Sequence, residues 1–200
     1  IFNDPMSVDF SLNIIKILGQ KMHIRKVIVG LTLALLMGNS MAVTANYEKG
    51  FQAFQKGVYK VALAEWVPLA EQGDIDSQNT LAALYKFGLG VKKNPEQAVK
   101  WYRLSAEQSD AAGQYGLGTM YAAGEGVLQD HDAALKWYNL AAAQGDVAAQ
   151  FNLGVMYDNG QGVLENDETA VKWYTLSATQ GLAEAQAHLG VMYQYGNGIA

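Results

Sequence analysis

Three groups of residues in this chain have the types and spacings that binding or catalytic sites use. Glycine pairs recur at Gly88/Gly90, Gly124/Gly126, Gly160/Gly162 and Gly196/Gly198, in the manner of a loop whose bare amides cradle phosphate. A dinucleotide fingerprint also needs a third glycine, a preceding strand and a downstream acid for the ribose. No third glycine follows at that spacing and the preceding pattern is helical, so the pairs read as turns. His131, between Asp130 and Asp132, and His188 offer metal-ligand chemistry. Neither has a histidine four residues away or an HExxH context, and no metal site is expected. Trp-Tyr pairs at 101/102, 137/138 and 173/174 offer ring faces for sugars or bases. Ser-x-x-Lys and Gly-x-Ser-x-Gly nucleophile motifs are missing. With no cysteine in the chain, thiolate nucleophiles, disulfides and cysteine-based metal sites are excluded. The expectation is a protein that is not an enzyme, with no catalytic residue and no cofactor.

What decides against chemistry is recurrence. "LAALYKFGLGVKKNPEQAVKWY", "LGTMYAAGEGVLQDHDAALKWY" and "LGVMYDNGQGVLENDETAVKWY" follow one another at a step of 36 residues, and "LGVMYQYGNGIA" begins the pattern again. A structural module is repeated; an active site seldom is.

Within each unit, Gln78, Leu81, Ala82 and Tyr85 recur as Gln114, Leu117, Gly118 and Tyr121, as Gln150, Leu153, Gly154 and Tyr157, and as Gln186, Leu189, Gly190 and Tyr193. Spacings of three, one and three lie on one face of a helix. A glycine on that face lets a partner helix come close, against its poor helix propensity. The helix stops at the glycine pair, and Val91, Val127, Val163 and Ile199 return the loop to the core. Asn94, Asp130 and Asn166 then cap a second helix, with Pro95 at its first position. That helix carries Ala98, Trp101, Tyr102 and Ala106 and their copies, and stops at Gln144-Gly145 and Gln180-Gly181. Ser109, where the others have glycine, should be a less comfortable stop. The tyrosines of the Trp-Tyr pairs are expected to pack, with the tryptophans half exposed.

Helix, glycine loop, helix and short turn, repeated, predict an all-α chain: an α/α solenoid, a right-handed superhelix of antiparallel helix pairs, tetratricopeptide-like. Expected divisions are a capping half repeat at 46–75, repeats at 76–111, 112–147 and 148–183, and a truncated repeat at 184–200. The first helix of the half repeat lacks the Leu-Gly-x-x-Tyr core. The consensus Ala-x-x-x-Leu-Gly-x-x-Tyr-x-x-Gly-x-Gly-Val-x-x-Asp-x-x-x-Ala-x-x-Trp-Tyr resembles the Sel-one-like repeat (SLR) family, with departures at Ala82, Asn94, Ser109 and Asn166. The resemblance implies scaffolding of complexes, signalling or host interaction. Some proteins with this repeat and paired cysteines carry a β-lactamase label; without those cysteines or a serine motif, this chain gives that activity no support.

Residues 22–45, "MHIRKVIVGLTLALLMGNSMAVTA", have a basic start, a short apolar run over Val27–Met37 and small residues before Ala45. This is the form of an export signal, cleaved after Ala45 or, second, after Ala42. No stable membrane insertion is expected once it is removed. Residues 1–21 read as a non-native upstream extension, with a true start at Met22 or Met6. Periplasmic or extracellular residence in a bacterium follows as an expectation. The net charge of −5 is uneven. Residues 46–103 hold eight basic against six acidic side chains, and residues 104–200 two against eleven. That balance disfavours nucleic acid as a partner.

If the recurring residues build the stack, recognition belongs to positions that vary along the first helices, which line the concave side of a tetratricopeptide-like stack. The candidate partner-binding residues are Asn79, Lys86, Phe87, Tyr115, Thr119, Phe151, Asp158, Asn159 and Tyr195. Aromatic anchors and scattered amides suit a protein or peptide, although Tyr115 and Phe151 could equally pack between neighbours. The leading expectation is an exported, non-catalytic adaptor of the bacterial envelope. The alternatives are a cell-wall glycan-binding or hydrolytic envelope protein, or a fragment of a larger multi-domain protein. Without a second helix in the last unit, Leu189, Val191, Met192 and Tyr193 should lack cover, making self-association possible there.

Overall fold

Every element is a helix among the residues described by the computed structural model, which are residue 43 and residues 45–198. The upstream extension and export signal expected over 1–45 otherwise lie outside the described residues. Tyr47–Ala200 forms one unit. Its helices are α1 (45–55), α2 (Tyr59–Glu71), α3 (Ile75–Phe87), α4 (Pro95–Glu107), α5 (Ala111–Ala123), α6 (His131–Ala143), α7 (Val147–Asn159), α8 (Asp167–Thr179) and α9 (Ala183–Tyr195). From α3 onward, each packs on the helix before it in the chain. Odd-numbered helices are the first of a hairpin and even-numbered ones the second: an α/α solenoid.

Local chemistry sets the element ends. Asn94, Asp130 and Asn166 each accept, through the side chain, the amide N–H three residues on. Asp74, Asp110 and Asp146 do the same for α3, α5 and α7. First helices end in left-handed backbone at Gly88, Gly124, Gly160 and Gly196, and the next amide bonds back five residues, as from Glu125 to the Met120 carbonyl at 3.0 Å. This is a Schellman ending. The second glycine of each pair serves packing between units. A Cβ on Gly126 would strike the backbone of Pro95, and one on Gly162 would lie 2.8 Å from the His131 Cβ. These loops are therefore engaged by the preceding unit's second helix.

The core repeats with the sequence. Leu81, Leu117 and Leu153 are fully buried, as are Ala98, Ala134 and Ala170. A Cβ on Gly118 would sit 2.7 Å from the Tyr138 ring, and one on Gly154 2.5 Å from Tyr174, so each glycine is a seat for a buried tyrosine. A Cβ on Gly50 of α1 would likewise lie 2.5 Å from Trp66. The first hairpin thus has the seat that its sequence did not announce. Its loop is shorter: 16 residues separate Gly50 from Trp66, against 20 from Gly118 to Tyr138, which breaks the 36-residue register.

A buried glutamine ladder ties the units. Gln78 Nε2 donates to the Ala70 carbonyl at 2.9 Å, while its Oε1 accepts from Gln108 Nε2 at 2.9 Å. Gln114 accepts from Gln144, and Gln150 from Gln180, each at 2.8 Å. Each glutamine thus links the preceding second helix to the following one, satisfying a buried amide. At α9, Val191 and Tyr193 are exposed, as expected; Met192 is buried against α8 instead, packing with Ala170 and Tyr174. It points to the preceding unit, and needs no following helix.

Candidate partner-binding surface

The nine candidate residues fall into two sets: some tie neighbouring units together, and others stand free. Asn79 Nδ2 donates to Asp110 Oδ2 at 2.8 Å. The same oxygen caps α5 through the Gly113 amide and accepts the Ser105 hydroxyl. Asn79 therefore braces the next unit's helix cap. Lys86 Nζ donates to Thr119 Oγ1 at 3.0 Å, a rung from α3 to α5, and the Thr119 hydroxyl donates to the Gly116 carbonyl. Burial lowers the Lys86 pKa; Glu125 opposes this and Lys93 adds to it. Phe87, beside it, is 64% exposed, with the Lys86 ammonium 5.5 Å from its ring centre.

Tyr115 is half-buried, its ring 6.0 Å from that of Tyr138. Burial, then the Asp146 charge, raises its pKa, and the Asn152 side chain opposes the shift. Phe151 and Asp158 meet around Tyr174. The Phe151 ring lies 5.6 Å from it, and the Tyr174 hydroxyl donates to Asp158 Oδ2 at 3.1 Å. Burial and then the Asp158 charge raise the Tyr174 pKa. Asn159 is exposed and donates to the Val155 carbonyl of its own helix; Tyr195 is 71% exposed. Lys86 with Thr119 and Phe87, and Phe151 with Asp158, are brought together; Asn79 stands apart at a cap.

Two residues outside the candidate set share this surface. His188 packs on the Tyr174 ring and meets Phe151 edge-on, at 5.0 and 5.3 Å between ring centres. Asn152 opposes the upward pKa shifts of both Tyr115 and Tyr138. Both occupy the repeat position held by Thr80 and Gly116, one of the most varied in the units. That variation was the available signal.

Glycan stacking fares less well. Tyr138, Tyr174 and Trp101 are buried, while Trp137 and Trp173 are half-buried. An open crevice of about 510 Å³ beside Trp101, between the end of α2 and α4, is lined by Glu71, Lys100, Glu107 and Gln108 among others. No group of metal-ligating side chains is present among the described residues.

The family profile described as Sel1 repeat matches residues 75–110, 111–146, 147–182 and 183–200. The chain belongs to the Sel1 repeat family. Among solved structures it is similar to c5321 of uropathogenic Escherichia coli, described as a protective antigen with an SLR fold. The identity is 36% and the TM-score 0.75, over 81% of this chain and 36% of that one. A Sel1 repeat protein from Oxalobacter formigenes is 34% identical with a TM-score of 0.70, over 77% of this chain and 63% of that one. The chain thus spans less than two thirds of either relative. Helicobacter pylori cysteine rich protein B, 23% identical with a TM-score of 0.52 over 65% of this chain and 93% of that one, shares the fold. No match was found among curated proteins. Sel1 repeats are in general scaffolds for protein–protein interaction, and no described helix is long and apolar enough to cross a membrane.

Proposed function

We propose that this Sel1 repeat chain is a non-catalytic adaptor that holds a protein or peptide along its first helices. One observation carries the reading: the recurring residues are engaged in stacking the units. Leu117, Gly118, Gln114 and Tyr138, with Leu153, Gly154, Gln150 and Tyr174 of the next unit, are buried in the stack. The varied residues Phe87, Asn159 and Tyr195 are left at the surface. Exposed aromatics backed by a rigid helical stack are suitable binding anchors.

Residence in the bacterial envelope or outside the cell is part of the proposal, and it rests on the export-signal pattern of residues 22–45. The description of the Escherichia coli relative as a protective antigen supports it, because antibodies must reach such a protein. N-terminal sequencing of the chain expressed in a bacterium should find Asn46 as the first residue, in the periplasm or medium. Capture of a defined partner should then weaken with Phe87→Ala and Tyr195→Ala together, and not with Leu128→Ala on the loop edge. Retained capture by the double variant, or turnover of a muropeptide by the purified chain, would reverse the reading.

A further inference from the structure

Lys86 and Asp158 hold the same repeat position two units apart, in the last turns of α3 and α7. Both are half-buried, and neither is in an ion pair among the described residues. Thr119 accepts one of the three Lys86 N–H donors. Glu125, the acid that Lys86 feels, lies 3.8 Å from the Lys93 ammonium. The Asp158 carboxylate takes the Tyr174 hydroxyl and keeps further acceptor capacity. An anion in a helix's last turn opposes the macrodipole, so α7 itself gains nothing from that charge. Between the two, the same position is Ala122, with Ala123 beside it, a small uncharged floor.

We infer that the strip takes an extended peptide segment with an acidic side chain on Lys86 and a basic one on Asp158; this rests on the strip being the recognition surface. First helices side by side at about 10 Å each place the two charges about 20 Å apart. An extended chain covers that span in about six residues. An extended rather than helical segment fits because Asn159 keeps its side-chain oxygen free beside the floor. A helix has already satisfied its own backbone groups.

Random peptides displayed on phage and selected on the purified chain, on Lys86→Glu and on Asp158→Lys, test this. Peptides from the unaltered chain should pair an acid with a base about six residues apart. A synthetic peptide of that kind should bind about tenfold tighter than its copy with both charges replaced by glutamine, as expected for charge-assisted contacts. Selection on Lys86→Glu should favour two bases, and on Asp158→Lys two acids. Lys86→Met and Asp158→Asn, each still helical by circular dichroism at the assay temperature, should each lose most of the preference. Peptides without a charge pattern, or with one pattern on all three chains, would overturn the charge assignment while leaving the strip as a recognition surface. Failure of the folded chain to select any peptide would overturn both.

Discussion

At the scale of single residues, the same glycine has opposite value in different units. Gly154 is filled from outside by Tyr174, whereas nothing lies within 4 Å of a Cβ on Gly190. Gly154→Ala should destabilise the chain by about 1–3 kcal/mol through overpacking, despite alanine's higher propensity. Gly190→Ala should stabilise α9 by up to ~1 kcal/mol from propensity alone. Urea unfolding of the two variants, with midpoints moving in opposite directions, checks the seat. Ser109 gives the converse case. Its φ of 66° is left-handed, where Gly73, Gly145 and Gly181 stand in the other units, and a side chain there costs about 1–2 kcal/mol. Ser109→Gly should raise the unfolding midpoint by an amount equivalent to ~1 kcal/mol. That discomfort was legible in the sequence, because the repeat supplied its own comparison.

At the scale of helices, ends are chemical and their absence is visible. Six helices from α3 to α8 have an Asn or Asp whose side chain accepts an amide of the first turn; α9 has Leu182 at its N-cap and no such bond. Leu182→Asp should stabilise α9 by ~1 kcal/mol, slowing hydrogen exchange over Ala183–Tyr195 about fivefold. Exchange unchanged in α9 would show that its stability is set by packing on α8. The caps at Asn94, Asp130 and Asn166 were readable because each directly precedes a patterned helix. Those at Asp74, Asp110 and Asp146 follow a glycine or serine that already marks a stop, so the sequence there signals an end more plainly than a start. The seat at Gly50 was hidden by its shorter loop.

Across the whole stack, four tyrosines tie stability to pH. Burial is the first cause raising the pKa of Tyr102, Tyr115, Tyr138 and Tyr174, so the fold favours neutral phenols. A group whose pKa is raised on folding contributes stability that is whole below its unfolded value, here 10.0. That contribution is lost as pH rises through the folded value. Urea midpoints should therefore hold steady from pH 7 to about 9 and fall steeply above 10, with a shallower fall in Tyr138→Phe. A flat profile above 10 would mean that water reaches these hydroxyls. Because the tyrosines sit between helices along the stack, alkaline loss should spread through all the units.

The sequence by itself determined the all-α repeat, the glycine stops, three of the caps and the packing role of Tyr138 and Tyr174. A 36-residue period and three-four spacing are local, and backbone conformation and helix faces follow from near neighbours alone. Only the tertiary structure decided which varied residues are free. Asn79 meets Asp110, Lys86 meets Thr119 and Phe151 meets His188 across separations of 31 to 37 residues. It also decided that Trp101 is buried where Trp137 and Trp173 are half-buried. Those outcomes depend on which side chain the next unit presents at one point in space, and no spacing within a unit encodes that.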